Sequence, residues 1–377
     1  MMIRKSIFIF LVLISCSKKK QPDEANHTQR TTLQLKYAEG FKAHYEDNNI
    51  WISVTRPYQN ADKTFKYLLV KRGNPVPEHD EETQLVYIPI EKIVCTSTTH
   101  IPLLDYLDES EKLIGFPTTD YISSEKTREL VDKGKVVDLG IDQSLNIELL
   151  LSIQPDVVMA YTISGNLGHY KKINESGIPV VINAEYMETH PLGRAEWIKF
   201  AALFFGKEAE AEAVFNEIEK TYLQAQSLTA YFEHKPTIMS GVLYGDSWFV
   251  PSGQNNAAIL LADAGLHYLW SDLPGTGFSP LSFEEVFSKA HEADYWIGAS
   301  DYKSLSDMLK ADRRYEWFKA FKTKQVYTYT NSIGAKGGNE YLELGYLRPD
   351  IILKDLIKIT SPQSIPEHDL YFFKQLH

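Results

Sequence analysis

From residue 91 onward, short apolar segments alternate with longer segments whose apolar residues recur at helical spacing. Residues 93–95, 136–139 and 156–160 are short apolar runs bounded by polar loops, whereas residues 146–153 repeat their apolar positions every three or four residues. Short apolar strands separated by helices are typical of a parallel sheet that is covered on both faces. The first half of the chain is therefore predicted to form an α/β lobe.

A different pattern occupies residues 193–230, where strand signals stop and helix-forming residues dominate. After Gly206, apolar residues recur at three- and four-residue spacing, so residues 207–229 predict one helix about 34 Å long at a rise of about 1.5 Å per residue. The alternation resumes after Pro236. The sequence thus predicts an α/β fold of two Rossmann-like lobes with parallel sheets, joined by one long interlobe α-helix, with a ligand cleft between the lobes.

The two predicted lobes contain a similar segment, residues 145–152 in the first and residues 281–288 in the second. In each segment a good N-cap residue precedes a glutamate in the first helical turn, Glu148 or Glu284. The similarity supports two lobes of like topology, and duplication is a hypothesis. Later in the second lobe, one helix is predicted over residues 304–322.

The N-terminus has the pattern of a bacterial export signal. Arg4 and Lys5 precede an apolar run of eight residues that is far shorter than the roughly 20 residues needed to span a bilayer. The run ends at Cys16, in a sequence that looks like a lipobox, so Cys16 is predicted to be lipidated. The alternative is a plain secretory signal with an incidental cysteine.

These patterns divide the chain into successive segments. The predicted boundaries are a signal peptide with lipobox at 1–16, a flexible tether at 17–35, an N-terminal lobe at 36–192 with extra strands in 36–89, a helical region at 193–230, a C-terminal lobe at 231–360 and a tail at 361–377 that packs back on the body.

Composition excludes some classes of function. The net charge of −11 and the lack of a basic stripe argue against nucleic-acid binding. Only two cysteines occur, and with Cys16 acylated, Cys95 is expected to be a small buried residue in an apolar run. The fold must therefore be stable without disulfides.

Candidate ligand-binding residues follow the predicted strands, because ligands of open α/β sheets bind at the carboxyl ends of the strands. Large flat side chains concentrate in these loops and suit a bulky, partly apolar ligand such as a macrocycle or a catechol chelate. The alternative is that several of these rings only fill the lobe interface. The candidates are Thr98, His100, Tyr161 and Tyr186 in the first lobe and Trp248, Phe278, Tyr302 and Lys336 in the second.

Residues 90–360 resemble the class III periplasmic binding proteins that serve ferric-siderophore, haem and cobalamin importers. Residues 146–158 are similar to the first-lobe signature of this class, a helix that ends in Pro-Asp before a strand, and residues 280–284 resemble its second-lobe signature. The helix after Gly206 resembles the single interlobe connection of the class.

The resemblance implies roles for several residues. Glu148 and Glu284 match the glutamates that pair with arginines on the two halves of an ABC permease dimer, and paired negative tips would orient docking. Tyr161 and Phe278 match positions that present rings to the ligand. Asp142 stands where the class often has an aromatic residue, which puts ring packing in doubt there.

The sequence therefore predicts a lipid-anchored substrate-binding protein on the periplasmic face of a bacterial membrane. Its expected ligand is a siderophore or haem iron complex or cobalamin, delivered to an ABC permease. A monomer without a cofactor or a resident metal is expected, since the ligand carries the metal. If that ligand is haem, His100 and Tyr161 are the candidate axial ligands. Because one long helix joins the lobes, closure on binding is predicted to be small.

Two other functions remain open. One is an exported ligand-binding or sensor lipoprotein that is not coupled to an importer. The other is an exported enzyme, which the sequence disfavours because it contains no HExxH metal motif and no Gly-x-Ser-x-Gly elbow. The neighbouring carboxylates Glu284 and Glu285 would diverge on a helix and are unsuited to joint acid–base catalysis.

Overall fold

The computed structural model describes residues 30–165 and 167–377, which form two α/β lobes and an additional sheet. The predicted signal peptide, Cys16 and the tether up to residue 29 lie outside the described residues. Among the described helices, none is both long enough and apolar enough to cross a membrane. The predicted fold class is confirmed.

The additional sheet precedes the first lobe and has five strands in chain order, of which only the last two run parallel. Phe41 in this sheet packs its ring 4.7 Å from that of Trp197 and 5.2 Å from that of Phe200. The sheet therefore shares a core with the helices at the end of the first lobe. Its strands are β1 Thr31–Thr32, β2 Phe41–Glu46, β3 Asn49–Val54, β4 Phe65–Lys71 and β5 Thr83–Ile88.

The short strand β1 lies inside the segment that was expected to be a flexible tether. Thr31 and Thr32 pair with residues of β2, and the buried carboxylate of Glu196 accepts hydrogen bonds from the backbone N–H groups of Lys36 and Tyr37 at 2.8–3.0 Å. The tether prediction is wrong for residues 30–35, because local composition did not show these distant partners.

The first lobe contains a fully parallel sheet in the order β10-β9-β6-β7-β8. Its strands are β6 Ile93–Cys95, β7 Leu113–Phe116, β8 Val137–Asp138, β9 Val157–Ala160 and β10 Val180–Ile182. Cys95 is buried and free, as expected. The helices are α1 Ile101–Tyr106, α2 Glu125–Asp132, α3 Ile147–Ile153, α4 His169–Glu175, α5 Pro191–Glu196 and α6 Ile198–Ala202.

A single helix of 21 residues, α7 Glu208–Leu228, leads from the first lobe to the second. Its buried residues recur at spacings of four and three, which confirms the predicted amphipathic helix; they are Ala211, Phe215, Ile218, Tyr222 and Ala225. Tyr222 also donates a hydrogen bond from its hydroxyl to Asp263 of the second lobe.

The second lobe is built on a sheet in the order β14-β11-β16-β17-β18, parallel except for β18. Its strands are β11 Thr237–Met239, β14 His267–Tyr268, β16 Tyr295–Ile297, β17 Val326–Thr328 and β18 Lys374–Gln375. Its helices are α8 Asn256–Asp263, α9 Phe283–Ala290, α10 Leu305–Ala311, α11 Lys319–Lys322, α12 Glu340–Glu343 and α13 Pro349–Thr360.

The C-terminal tail packs on the second lobe, where β18 pairs with β17. The buried carboxylate of Asp355 accepts hydrogen bonds from the backbone N–H groups of Tyr371, Phe372 and Phe373 at 2.7–3.1 Å. One carboxylate thus satisfies three consecutive donors and fixes the start of the last strand.

Two elements of the second lobe differ from prediction. The loops that carry Trp248 and Phe278 in the prediction belong instead to an antiparallel sheet of β12 Leu243–Tyr244, β13 Ser247–Pro251 and β15 Phe278–Leu281. The helix predicted over residues 304–322 is interrupted at Asp312, whose backbone is extended and whose carboxylate accepts a hydrogen bond from the Arg314 N–H. That side chain starts a new turn, so α10 and α11 are separate helices.

Candidate functional site

A cavity of about 370 Å³ lies at the carboxyl ends of the second-lobe strands. Ser240 follows β11, Gly298 follows β16 and Tyr329 follows β17, and all three residues line it. This edge is the usual ligand crevice of an open α/β sheet. The volume falls in the range of roughly 300–1,000 Å³ that is common for small-molecule sites.

Three aromatic rings form one wall of this cavity. Tyr244, Phe249 and Phe278 are carried by the antiparallel sheet of β12, β13 and β15, and they are 81%, 40% and 63% exposed. Because these rings are already exposed at the edge of the cavity, a ligand can cover their apolar surface without a rearrangement of the protein. Phe278 is the one predicted ligand residue that lines this cavity.

Trp248 points to the opposite face of the same strand. Its ring is fully buried, 5.2 Å from the ring of Trp296 and 5.6 Å from that of Phe318, and its Nε1 donates to the carbonyl oxygen of Ser240. Successive residues of a strand face opposite sides, so Phe249 takes the cavity side and Trp248 the core side. The prediction that Trp248 contacts the ligand is therefore wrong.

Tyrosines from the end of the chain complete the cavity. The rings of Tyr329 and Tyr341 stack with centroids 5.0 Å apart at an angle of 22°, and Tyr346 lies on the same lining. None of the three was predicted. The strand β17 ends at Thr328, which leaves Tyr329 at the strand end.

Arg194 also lines the cavity and was not predicted. It belongs to α5, near the end of the first lobe, and its guanidinium carbon lies 4.5 Å from the centroid of the Tyr346 ring. Its Nε and Nη2 donate to the carbonyl oxygens of Glu188 and Tyr186 at 3.0 and 3.1 Å. The arginine therefore spans the boundary between the two lobes.

At the first-lobe strand ends, the hydroxyls are bonded within the lobe. The Asp142 carboxylate accepts hydrogen bonds from the Tyr170 hydroxyl at 2.9 Å and the Tyr161 hydroxyl at 3.4 Å. Burial and this carboxylate raise the pKa of Tyr161. Asp142 thus replaces the ring packing of the resembled class with a polar contact, and Tyr161 does not line the second-lobe cavity.

Tyr186 is held in a comparable way. Its hydroxyl donates to the carbonyl oxygen of Thr162 at 2.7 Å, and burial raises the pKa of Tyr186 to about 12. Thr98 is half-buried at the start of a single 3₁₀ turn. Neither Tyr186 nor Thr98 lines the second-lobe cavity.

His100 is completely buried behind the first strand of this lobe. Burial lowers the pKa of His100 to about 3, and a hydrogen bond to the Met159 backbone opposes this only in part, so the ring is neutral. Because the His100 ring is completely buried and does not reach the cleft surface, the prediction that His100 contacts the ligand is wrong.

The other two second-lobe candidates lie away from the cavity lining. Tyr302 is half-buried, with its ring 6.3 Å from that of Tyr315. Lys336 is exposed at the tip of a hairpin closed by the bridge between Ile333 and Asn339.

The lobes touch through a second-lobe carboxylate. Glu343 is buried and accepts hydrogen bonds from the backbone N–H groups of Ser123 and Ser124 in the first lobe, both at 2.8 Å. Burial raises the pKa of Glu343 to about 7. Next to it, Gly338 packs so closely that a Cβ would lie 2.2 Å from the carbonyl oxygen of Tyr121. One edge of the cleft is thus closed by backbone contacts.

Glu148 and Glu284 occupy equivalent positions. Each is the second residue of its helix, after the capping side chain of Asn146 or Ser282, and each is exposed. In α9 it is Glu285 that closes the capping box with Ser282, which leaves Glu284 free of that role. Over residues 30–165 and 167–377, no group of three or more His, Cys, Asp or Glu side chains could hold a metal ion.

Comparisons with known proteins agree with this architecture. An uncharacterized lipoprotein of Methanocaldococcus jannaschii is 27% identical, over 97% of this chain and 94% of its own length. A possible iron-binding (periplasmic solute-binding) protein of Staphylococcus epidermidis matches with a TM-score of 0.56 at 19% identity, covering 72% of this chain and 99% of that one.

The periplasmic haem-binding protein HutB of Vibrio cholerae matches with a TM-score of 0.54 at 18% identity, over 70% of this chain and 99% of its own. The family model described as "Periplasmic binding protein" matches residues 93–333, well over half of the chain. The chain therefore belongs to the periplasmic binding protein family, with the two-lobe fold of its class III members.

Proposed function

We propose that this protein is the substrate-binding lipoprotein of an ABC importer, which captures an iron complex (a siderophore or haem) or cobalamin and delivers it to the permease. The observation that carries the proposal is the second-lobe cavity with Tyr244, Phe249 and Phe278 on its wall. A large, flat or ring-containing ligand would bury these rings, and each buried ring adds about 1.5–3 kcal/mol of favourable transfer energy.

The comparisons support this ligand class. The Staphylococcus epidermidis protein is described as possibly iron-binding, and the Vibrio cholerae protein binds haem. Lipid anchoring through Cys16 on the periplasmic face is supported by the lipoprotein name of the Methanocaldococcus jannaschii relative. Because this family binds solutes, we further propose that the ligand is carried unchanged and not turned over.

Delivery to a permease rests on Glu148 and Glu284. Two exposed carboxylates at matching helix starts, one on each lobe, suit a partner that presents a positive group in each of its two halves. Orientation by such charges raises the rate of encounter more than it raises affinity.

The test starts with absorbance titrations of the purified protein with hemin, a ferric tris-catecholate, a ferric tris-hydroxamate and cyanocobalamin. Uptake of the bound compound is then measured in cells whose own copy carries Glu148→Lys and Glu284→Lys. We expect uptake to be lost while the affinity of the purified protein is unchanged.

The matched control is Glu78→Lys with Glu292→Lys, which changes the net charge by the same amount at exposed positions elsewhere. Normal uptake in the Glu148/Glu284 variant with intact binding would favour a sensor or binding lipoprotein that has no importer. Binding of none of the four compounds would contradict the ligand class, and chemical conversion of a bound compound would indicate an enzyme.

A further inference from the structure

Among the residues that the structure describes, Arg194 is the one charged residue on the lining of the second-lobe cavity. The rest of that lining consists of aromatic, aliphatic and small polar residues, such as Tyr244, Phe278 and Ser240. A positive charge in such a setting interacts strongly with a ligand, because water and counter-charges screen it less than on an open surface.

The guanidinium is held in place before any ligand arrives. Two of its five N–H groups donate to the backbone carbonyls of Glu188 and Tyr186, and the Tyr346 ring supports one face at 4.5 Å. These contacts fix the plane of the guanidinium group and leave its remaining N–H groups for another acceptor. A pre-oriented arginine loses little side-chain entropy on binding an anion.

No carboxylate in the described chain forms an ion pair with Arg194. Other partly buried arginines have one: Arg314 lies 2.7 Å from Asp312, and Arg348 lies 2.8 Å from Asp350. The nearby carboxylate of Glu185 accepts a hydrogen bond from the Thr99 hydroxyl and forms no ion pair with Arg194. The charge of Arg194 is therefore not paired with a carboxylate of the described chain, although partly buried charges are usually paired.

We propose that Arg194 binds an anionic oxygen of the ligand, a carboxylate or a phenolate, and so selects an anionic chelate or porphyrin over a neutral one. This inference rests on the proposed function, since it concerns the same cavity. Its consequence is that the first lobe contributes a charge while the second contributes the apolar wall. The anionic group then lies at the lobe boundary, where it contacts both lobes.

The experiment uses two matched pairs of probes with the lipid-free full body of the protein. Hemin and hemin dimethyl ester differ only in the two free carboxylates, and a ferric tris-catecholate carries a negative charge that a neutral ferric tris-hydroxamate lacks. Affinities are measured by absorbance or by quenching of tryptophan fluorescence, in the unaltered protein and in Arg194→Gln. The matched control is Arg313→Gln, because Arg313 is exposed and lies outside the cavity lining.

We expect the unaltered protein to prefer the anionic member of at least one pair by tenfold or more. In Arg194→Gln, the affinity for that member should fall by about 10- to 100-fold, the range for a hydrogen bond to a charged group. The affinity for its neutral partner should stay within about twofold, which also shows that the variant is folded. Preference in the hemin pair would identify a carboxylate, and preference in the second pair a phenolate.

Two results would overturn the inference but leave the proposed function intact. One is equal affinity for both members of each pair in the unaltered protein, and the other is an unchanged preference in Arg194→Gln. Binding of none of these probes, nor of cyanocobalamin, would instead contradict the proposed function itself.

Discussion

The two lobes use the residues at their strand ends in different ways. In the first lobe, the hydroxyls of Tyr161 and Tyr186 are bonded to Asp142 and to the Thr162 carbonyl, and both rings are half-buried. In the second lobe, Phe278 is 63% exposed beside an open cavity. Rings in similar positions along the chain are thus part of the scaffold in one lobe and free for a ligand in the other.

This difference shows that position after a strand is not enough to identify a ligand residue. A ring is available to a ligand when its own lobe leaves it exposed beside the cavity. Trp248 is covered, because Ser240 accepts its hydrogen bond and Trp296 packs against it, whereas the neighbouring Phe249 has its ring on the cavity lining. The asymmetry supports the proposals that the ligand rests on the second lobe and that Arg194 binds it from the first.

The largest expected effect is on the free energy of unfolding, which should distinguish a ring of the scaffold from a ring of the cavity. Trp248→Ala removes a fully buried ring, so the free energy of unfolding should fall by about 3–5 kcal/mol. Phe278→Ala removes a mostly exposed ring and should change it by less than about 0.5 kcal/mol. Urea denaturation followed by circular dichroism measures both, and similar losses in the two variants would remove the distinction.

The next effect concerns Glu343, through which the lobes are joined. Burial raises its pKa to about 7 from an ordinary value near 4.5, so between these values the folded protein binds more protons than the unfolded chain. The stability contributed by this group should therefore decline as pH rises from about 4.5 to 7, by roughly 3 kcal/mol in total. In Glu343→Gln this decline should disappear.

Denaturation midpoints at half-unit steps of pH test this expectation. The control is Glu78→Gln, which removes an exposed carboxylate and should leave the slope as in the unaltered protein. An identical slope in Glu343→Gln would show that the lobe contact does not depend on the protonation of this carboxylate. Glu343 would then join the lobes through its hydrogen bonds to Ser123 and Ser124, whether or not it is protonated.

The periodic elements were the predictable part of the fold. The helix α7 follows from apolar residues at three- and four-residue spacing, and its observed range differs by one residue at each end from the expected 207–229. The helix starts at Ile147 and Phe283 were predictable because N-caps depend on adjacent residues. Local physical preferences determine both kinds of feature.

The cavity could be predicted only in part. Which residues line it depends on contacts between distant parts of the chain and on which face of a strand each residue occupies. The strand β13 is five residues long, and a shift of one residue exchanges Trp248 and Phe249 between core and cavity. Arg194 gave no local signal, since its role comes from the Glu188 carbonyl and from the Tyr346 ring, which is 152 positions further along the chain. Contacts of this range cannot be inferred from one sequence.

A smaller effect is expected on ligand affinity when a ring of the second lobe and a ring of the first are altered in turn. Phe278→Ala should weaken binding of the probe with the highest affinity by about 1.5 kcal/mol, or roughly tenfold, because the ligand would otherwise cover that ring. Tyr161→Phe keeps its ring and removes only a hydroxyl bonded at 3.4 Å to Asp142, so affinity should change by no more than about twofold. If Tyr161→Phe has the larger effect, the first lobe and not the second provides the main contact, for example through a tyrosinate bound to iron.

The smallest effect is expected at Lys336, the second positive side chain considered for the ligand. Lys336 is exposed at the tip of the hairpin at residues 333–339, which contacts the first lobe through the backbone of Gly334 and Gly338. Its charge is screened by solvent there, so Lys336→Ala should leave the affinity for an anionic probe within about twofold, in contrast to Arg194→Gln. A tenfold loss in Lys336→Ala would instead mean that the hairpin bends over the bound ligand, and the positive end of the site would then come from the second lobe as well as the first.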